Sequence, residues 1–236
     1  MKILVCSDIH GNVHAQERVI KSEQFDKSIF LGDIVDYGPK PSEAIDLIRD
    51  NFDTVVQGNH DYAAATGRDC MCSQENHDPS VYTREKITMQ TVGKNDMAYL
   101  ASLPKSKRIE IGGRTFEINH GSPENRLFGY LYPSRVSGSS LTDENGKRTD
   151  SDYLLVGHTH HQFAIPMEGM MIINPGSIGQ PRDGFPDPSY AIIDTDNWSI
   201  SLKRVKFDRD LLKREIISSL PEGAMLDRNL RLFGYR

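Results

Sequence analysis

Short apolar runs alternate with segments of helical spacing over the first sixty residues. The apolar positions predict buried strands at residues 2–6, 28–31 and 54–56, and helices at residues 13–22 and 42–49 between them. Repeated strand–helix–strand units imply right-handed crossovers and a parallel sheet covered by helices.

The pattern changes after residue 60. Residues 61–103 contain no convincing strand, and helical spacing occurs at residues 83–91 and 96–103, the second ended by Pro104. We interpret residues 61–103 as a helical insertion. Two strands at residues 108–111 and 115–119 then flank a Gly-Gly pair, which predicts a hairpin.

A polar segment rich in Ser, Gly and charge follows at residues 122–151 and predicts a long loop with a short element inside. Its aromatic residues Phe128, Tyr130 and Tyr132 are interpreted as anchors of the loop to the core, with stacking on a nucleobase as the alternative. Further strands are predicted at residues 153–156, 163–166, 170–173, 190–194 and 200–205, before a last helix from Asp208 to Leu220.

The two halves of the chain differ in the sheets that they predict, since the first half supplies parallel strands and the second mostly antiparallel ones. The simplest arrangement is an α/β fold of two mixed β-sheets packed face to face with helices outside. We expect one domain over residues 1–236.

Composition narrows the function classes. With 28 Lys and Arg against 33 Asp and Glu, the net charge is −5, so the basic face expected of a nucleic-acid binder is missing and such a partner is not expected. No apolar run approaches the roughly 20 residues that cross a bilayer, so we expect no membrane partner and a cytoplasmic location. Three cysteines are too few for a disulfide framework.

Polar clusters follow the predicted strands at the point where each strand ends. These clusters are Asp8-Ile9-His10, Gly32-Asp33, Gly58-Asn59-His60-Asp61, Asn119-His120-Gly121 and Gly157-His158-Thr159-His160. The carboxyl ends of sheet strands meet along one edge, so we expect these side chains to lie together. On extended backbone, the i, i+2 spacing in the first and last clusters aims both side chains to one side, so each pair could grip one ion.

The donor types indicate a metal centre without thiolate ligands. Seven Asp, His and Asn side chains are typical of Mn, Fe, Zn, Ni or Co sites and too many for one ion. Two divalent ions that share Asp33 as a ligand would account for the number of candidate ligands. Such a pair stabilises the attacking and the leaving oxygen in phosphoryl transfer.

Taken together and in order, these motifs, with Asp36 four residues after Gly32, resemble the calcineurin-like metallophosphoesterase superfamily. Residues 119–123, 174–177 and 180–184 are similar to its small bacterial and archaeal phosphodiesterase-like branch. The resemblance implies a four-layer α/β/β/α sandwich and a dinuclear centre that hydrolyses phosphate esters with a hydroxide bridging the metals.

The resemblance also implies roles for individual residues. Asp8, His10 and His160 would hold one metal, Asp33 would bridge, and Asn59, His120 and His158 would hold the other. His60 would protonate the leaving alkoxide or contact the phosphate, as suits a group that titrates near neutral pH, and Asp36 would orient it. Asn12 and Asn59 would contact the substrate.

One departure from the family pattern concerns the phosphate clamp. Protein Ser/Thr phosphatases of the superfamily carry Arg where this chain has Tyr37, which argues against that activity. Arg182 is the candidate replacement, ahead of Arg126 and Arg135. We therefore expect a phosphodiesterase acting on small or nucleotide-like esters, with manganese as the first metal for assay.

Several alternatives stay open from the sequence. The chain could be a dinucleoside-polyphosphate hydrolase, a phosphomonoesterase or protein phosphatase, or a protein-binding scaffold of the same fold; a homo-oligomer is also possible. Cys70 and Cys72, with Cys6 and His77, fit no familiar zinc-site spacing, so we interpret the pair as ordinary sequence of the insertion.

Overall fold

Two five-stranded β-sheets form the centre of the computed structural model, which describes residues 1–235. The strands are β1 (Lys2–Cys6), β2 (Lys27–Phe30), β3 (Thr54–Val55), β4 (Ser106–Ile111), β5 (Arg114–Asn119), β6 (Tyr153–Leu155), β7 (Gln162–Met167), β8 (Met170–Pro175), β9 (Ser189–Asp194) and β10 (Ser199–Arg204). Sheet A has the order β10-β9-β1-β2-β3, and sheet B has the order β4-β5-β6-β8-β7.

The helices lie mainly in the connections of the first half and at the end of the chain. They are α1 (Val13–Ser22), α2 (Pro41–Asn51), α3 (Asn59–Thr66), α4 (Gln74–Thr83), α5 (Met89–Thr91), α6 (Lys94–Ser102), α7 (Arg209–Ser219) and α8 (Ala224–Leu232). A π-helical turn, Arg84–Thr88, joins α4 to α5, and short 3-10 turns occur at Pro133–Arg135 and Gly138–Leu141.

Both sheets mix parallel and antiparallel pairs. In sheet A, β1 is parallel to β2 and antiparallel to β9, and β2 is parallel to β3. In sheet B, β6 is parallel to both β5 and β8. The parallel central strands of each sheet end at a common edge, and the predicted α/β fold of two mixed sheets is confirmed.

Alternation along the strands divides the apolar core into layers. Val5 and Ile29 face sheet B and pack in one buried cluster with Phe116 and Ile173. The intervening positions, such as Leu4, face the helical side of sheet A in a second cluster with residues of α1 and α2. The outer face of sheet B is covered by the segment 122–151, whose Leu131 and Leu141 pack on Leu154 and Ile172.

The helices of the insertion, residues 61–103, have boundaries that differ from the prediction. The predicted helix at residues 83–91 begins at Gln74, because the polar composition of residues 74–78 hides its first turns. It then widens into the π-helical turn. The last helix, α8, was not predicted; its Leu226, with Phe233 beyond it, packs in a cluster with Tyr37 and Ile87.

The helices of residues 1–235 include none with the length and apolar character that crossing a bilayer requires.

Candidate metal centre

The polar side chains that follow the strands converge at one edge of the two sheets. Residues after β1, β2, β5 and β6 meet the first residues of α3 there, and each is buried with no more than 3 % of its surface exposed. They are Asp8, His10, Asp33, Asn59, His120, His158 and His160.

A first group contains Asp8, His10, Asp33 and His160, whose ligand atoms all lie within 4.8 Å of one another. Asp8 Oδ1 is 3.2 Å from His160 Nε2, and Asp33 Oδ2 is 3.7 Å from His10 Nε2. Two carboxylates and two imidazoles at this spacing are a donor set for a divalent transition-metal ion.

A second group contains Asp33, His120 and His158. Asp33 Oδ2 lies 3.3 Å from His120 Nε2, and Asn59 Oδ1 lies 2.9 Å from the same nitrogen. The ring nitrogen of His158 that faces this group is Nδ1, which lies 3.2 Å from His120 Nε2. Since Asp33 belongs to both groups, its carboxylate stands where a ligand shared by two ions would stand.

Hydrogen bonds on the far sides of the His10 and His160 rings indicate that a cation fits within the first group. His10 Nδ1 donates to the Val35 carbonyl at 3.0 Å, and His160 Nδ1 donates to the Gln180 carbonyl at 2.7 Å. In their neutral forms, both Nε2 atoms therefore carry lone pairs, and these face each other at 3.4 Å. Two lone pairs at this distance repel unless a positive ion lies between them, so the residues present fit metal ions.

His120 and Asn59 show the same convergence of acceptors. His120 Nδ1 donates to the Leu31 carbonyl at 2.8 Å, and Asn59 Nδ2 donates to the Cys70 carbonyl at 2.8 Å. These two bonds turn His120 Nε2 and Asn59 Oδ1 toward each other and toward Asp33.

The pKa values of the histidines follow from burial and from Asp33. Burial lowers the pKa of His10 to about 3 and puts the pKa values of His158 and His160 well below the usual range, so these rings are neutral, as metal binding requires. Burial also disfavours charge on His120, but the Asp33 carboxylate outweighs it and raises the pKa of His120 to about 9. A metal ion would displace that proton.

Five of the candidate ligands have left-handed backbone. The φ angles of Asp8, His10, Asp33, His158 and His160 are 55°, 44°, 61°, 64° and 58°. The expectation of extended backbone at these positions is therefore wrong. Asp8 and His10 nevertheless belong to one group, whereas His158 and His160 belong to different groups. Asp and His are among the non-glycine residues that adopt this conformation most readily.

Close packing of two loops sets the position of Asp33. A Cβ atom on Gly32 would lie 2.4 Å from the Gly58 nitrogen, and one on Gly58 would lie 2.1 Å from Asp33 Oδ1. Asp61, to which the motif analysis gave no role, accepts hydrogen bonds from the backbone N–H groups of residues 33, 34, 35 and 58. It ties the turn after β2 to the first turn of α3.

His60 stands beside the shared carboxylate and is held by Asp36. Its Nδ1 donates to Asp36 Oδ2 at 3.0 Å, and its Nε2 lies 4.0 Å from Asp33 Oδ2. Burial lowers the pKa of His60, but the charge of Asp33 and the hydrogen bond to Asp36 outweigh it, so the pKa is raised. The imidazolium form carries a proton on Nε2.

The π-helical turn supplies two partners of Asp36 that sequence reasoning missed. Arg84 donates to Asp36 Oδ2 through Nε at 2.9 Å and through Nη2 at 2.6 Å, and Thr88 Oγ1 donates to Asp36 Oδ1 at 3.0 Å. Burial raises the pKa of Asp36, yet the bonds from His60 and Arg84 outweigh it and lower that pKa. π-Helical turns are frequent at functional sites.

The predicted substrate-binding residues Asn12 and Arg182 differ in their hydrogen-bond partners. Asn12 caps α1 through Oδ1, and its buried Nδ2 has no hydrogen-bond partner among residues 1–235. Arg182 lies beside His160, because its backbone N–H donates to the His160 carbonyl at 3.2 Å, and its Nη2 donates to Gln180 Oε1 at 2.9 Å. Tyr37 is fully buried, with its ring centroid 4.9 Å from those of His10 and His60.

The aromatic residues of segment 122–151 reach the site. The Tyr130 ring lies 4.0 Å from the His158 ring, and the Tyr132 ring lies 5.3 Å from that of His161, measured between centroids. Tyr130 and Tyr132 are nearly parallel to each other. Phe128 contacts Tyr62 of α3 instead.

Cys70 and Cys72 also lie at the site, which their interpretation as ordinary insert sequence did not anticipate. Their sulfur atoms are 2.9 Å apart and close to a His60 nitrogen. Cys6 is part of the core cluster under α1, so it does not join them. His77 bonds to Asp69 at 2.9 Å.

Comparison with known proteins agrees with this geometry. The profile of the calcineurin-like phosphoesterase superfamily domain matches residues 1–198. The chain belongs to that superfamily. It is therefore a metal-dependent phosphoric ester hydrolase, and the superfamily's dependence on divalent ions agrees with the two ligand groups.

Individual relatives cover nearly the whole chain. A metallophosphoesterase of Sphaerobacter thermophilus, known from a crystal structure, is 32% identical over 99% of both chains with a TM-score of 0.78. An uncharacterized protein of Methanocaldococcus jannaschii is 32% identical over 93% of this chain and 94% of its own. The phosphodiesterase YfcE of Escherichia coli K12 is 26% identical over 85% of this chain and 91% of its own.

Proposed function

We propose that the protein is a phosphodiesterase with two metal ions that hydrolyses small or nucleotide-like phosphate esters. The observation that carries the proposal is the sharing of Asp33 between two groups of inward-facing acceptor atoms. Asp8, His10, Asp33 and His160 would hold one ion, and Asp33, Asn59, His120 and His158 the other. When bound, the ions would supply positive charge for phosphate oxygens and lower the pKa of water.

The protein's own residues would complete the reaction. His60 would donate the Nε2 proton of its imidazolium form to the leaving alkoxide, because Asp36 fixes Nδ1 on the opposite side of the ring. Asp36 acts as the positioning residue, held by Arg84. Asn12, Asn59 and Arg182 would contact the phosphate.

Charge distribution supports a diester over a phosphoprotein substrate. The Arg84 guanidinium is paired with Asp36, and a buried tyrosine, Tyr37, occupies the position where related protein phosphatases carry a phosphate-binding arginine. Arg182, which lies beside His160, is the cation that we assign to the substrate. A diester carries one negative charge and needs fewer cationic contacts than a dianionic monoester.

A dinucleoside-polyphosphate hydrolase is the second candidate. The parallel rings of Tyr130 and Tyr132, next to His158 and His161, provide apolar faces on which a nucleobase could stack. Release of nucleotides from a dinucleoside polyphosphate would support it, while cleavage of artificial diesters alone would contradict it.

The deciding experiment combines metal content with hydrolysis. Protein stripped with a chelator and reconstituted with Mn²⁺ should contain close to two ions per chain by elemental analysis, and should cleave bis-p-nitrophenyl phosphate faster than p-nitrophenyl phosphate. The Asp33→Asn variant is the matched control and should lose affinity for both ions. A protein that binds no ion and cleaves neither ester with any of Mn, Fe, Zn, Ni or Co would overturn the proposal and favour a binding scaffold.

A further inference from the structure

The loop between α3 and α4 carries two thiols in mutual contact. Cys70 Sγ and Cys72 Sγ lie 2.9 Å apart. Cys70 is fully buried and Cys72 is partly exposed, so Cys72 is the member of the pair nearer to solvent. Two thiols in contact suit an oxidation in which one reacts with the oxidant and the other resolves the product.

A strained turn brings the two sulfur atoms together. Met71, between them, has a φ angle of +49°, although its side chain is 64% exposed and gains little from burial. Left-handed backbone at a non-glycine residue is strained, and such strain concentrates at functional sites. Asp69 Oδ1 holds the turn by accepting a hydrogen bond from the Met71 N–H at 2.6 Å.

Polar groups of the catalytic surroundings contact both sulfur atoms. Ser80 Oγ, which is 3.1 Å from His60 Nδ1, is 3.4 Å from Cys70 Sγ. Tyr37 Oη donates to Cys72 Sγ at 3.8 Å. The thiol pair is therefore in direct contact with residues that surround His60.

The main chain of Cys70 connects the pair to a metal-ligand candidate. The Cys70 carbonyl accepts the hydrogen bond from Asn59 Nδ2 at 2.8 Å, and this bond aims Asn59 Oδ1 at the second ligand group. A movement of the Cys70 backbone must therefore change the orientation of the Asn59 amide.

We propose that Cys70 and Cys72 are an oxidative modification site, which a peroxide converts to a reversible disulfide. One sulfur of the pair attacks hydrogen peroxide as its thiolate, the O–O bond breaks, and a sulfenic acid and one water form. The partner thiol then attacks the sulfenic sulfur, the new S–S bond forms, and the hydroxyl leaves as a second water. Two thiols are oxidised, one peroxide is reduced, and a dithiol reductant reverses the change.

The disulfide lowers activity through Asn59. Forming the bond draws the sulfur atoms closer and shifts the Cys70 carbonyl, so that the Asn59 amide loses its fixed orientation. Partners that orient a metal ligand affect metal affinity or activity by about 10- to 100-fold, so we expect at least about a tenfold loss. This consequence rests on the proposed function, whereas formation of the disulfide does not.

The mass of a tryptic peptide that contains both cysteines shows whether the disulfide forms. Cleavage after Arg68 and Arg84 releases residues 69–84, which contain both Cys70 and Cys72, exclude Cys6, and contain no internal Lys or Arg. The Mn²⁺-loaded protein is treated with hydrogen peroxide, denatured, alkylated and digested with trypsin. The expected peptide carries no alkyl group and lacks two hydrogen atoms relative to the reduced form. Oxidation of Met71 adds an oxygen atom and is distinguished by mass.

Metal content and hydrolysis test the coupling to the site. Peroxide-treated protein should retain less Mn²⁺ after gel filtration and cleave bis-p-nitrophenyl phosphate at least about tenfold more slowly, with recovery after dithiothreitol and Mn²⁺. The Cys72→Ser variant should keep its basal activity and resist peroxide.

Two alkylated cysteines in the peptide after peroxide would overturn the modification site. A disulfide that leaves metal content and rate unchanged, or equal peroxide sensitivity of wild type and Cys72→Ser, would overturn the coupling to Asn59. If the untreated protein hydrolyses no ester, the proposed function fails, yet peptide mass and metal content still decide the modification site.

Discussion

At the scale of single residues, His60 offers the most selective test of the reaction. The His60→Gln variant removes the proton donor without adding charge, so we expect unchanged metal content and a rate about 10²- to 10⁴-fold lower for esters with alkyl leaving groups. The loss should be much smaller for p-nitrophenyl esters, because a good leaving group departs without protonation. Steady-state kinetics on both ester types measure the difference.

The leaving-group comparison also separates chemistry from structure. A variant that loses rate equally on both ester types would show that His60 supports the fold or binds the phosphate, and the role of proton donor would be wrong.

Arg84 provides a test of the buried charge network. Its side chain is 11% exposed and that of Asp36 is fully buried, so Arg84→Gln leaves the carboxylate partly uncompensated. We expect a loss of about 3 kcal/mol in the free energy of unfolding, at the low end for broken buried pairs because His60 and Thr88 still donate to Asp36. Urea denaturation at pH 7 measures it. Arg49→Gln, which breaks a more exposed pair with Asp96, should cost no more than about 1 kcal/mol.

The pH dependence of stability follows from the lowered pKa of Asp36. A carboxyl group whose pKa is lower in the folded state stabilises that state above its unfolded pKa of about 3.9, and this contribution is lost as pH falls through the folded value. The stability difference between wild type and Asp36→Asn should therefore be full at pH 7 and shrink below about pH 4. A difference that stays constant down to pH 3 would contradict the assignment.

Sequence patterns predict some of these residues and miss others for physical reasons. Asp8, Asp33 and His120 follow directly from strands, so their convergence could be expected from sheet geometry alone. Arg84 and Thr88 reach Asp36 from a π-helical turn, whose register differs from the regular helical period. Cys70 and Cys72 meet because Met71 is left-handed, which no side-chain pattern indicates.

At the scale of elements, the turns after the strands fix the centre more than the strands do. A Cβ atom on Gly32, where φ is +94°, would lie 2.4 Å from the Gly58 nitrogen. The Gly32→Ala variant must therefore move one loop against the other, and we expect a stability loss beyond the roughly 1–2 kcal/mol of backbone strain alone, together with weaker Mn²⁺ binding. Thermal unfolding and elemental analysis check both effects.

Gly113 is the matched control for that substitution. Its φ angle is +76° and its added Cβ would have no neighbour within 4 Å among residues 1–235. Gly113→Ala should cost only the backbone strain of about 1–2 kcal/mol and leave metal binding unchanged. Equal effects of both substitutions on metal content would contradict the loop-contact argument.

Helices and strands were predictable to different degrees. The first two strands are short and buried after an exposed lysine, and helices of clear period separate the strands of the first half, so their order could be read from the sequence. The first turns of α4 are polar on all sides, and α8 follows a Pro-Glu-Gly break, so neither stands out from loop sequence.

At the scale of the whole molecule, metal binding should join the two sheets. The first ligand group takes Asp8, His10 and Asp33 from sheet A loops and His160 from a sheet B loop. At a free Mn²⁺ concentration of about 100 times Kd, one site adds about 2.7 kcal/mol of stability. Chelation should therefore lower Tm by about 5–11 °C for each ion removed in a chain of this size.

Restoring Mn²⁺ should restore Tm, and the Asp33→Asn variant should respond less than wild type to both treatments. An unchanged Tm on chelation, with metal loss verified by elemental analysis, would show that the two sheets pack independently of the ions.

The left-handed backbone at five of the candidate ligands has a consequence for mutagenesis and for inference from motifs. Alanine at Asp8 would change the donor atom and the conformational preference of the loop at once, so its effect would mix two causes. Asparagine tolerates the same φ angle and has nearly the same shape as aspartate. It therefore isolates the carboxylate charge. These loops need residues that tolerate positive φ angles whether or not a metal is bound. A relative that had lost catalysis would therefore still be under selection for Asp, Asn or His at these positions, because these residues preserve the loop conformation.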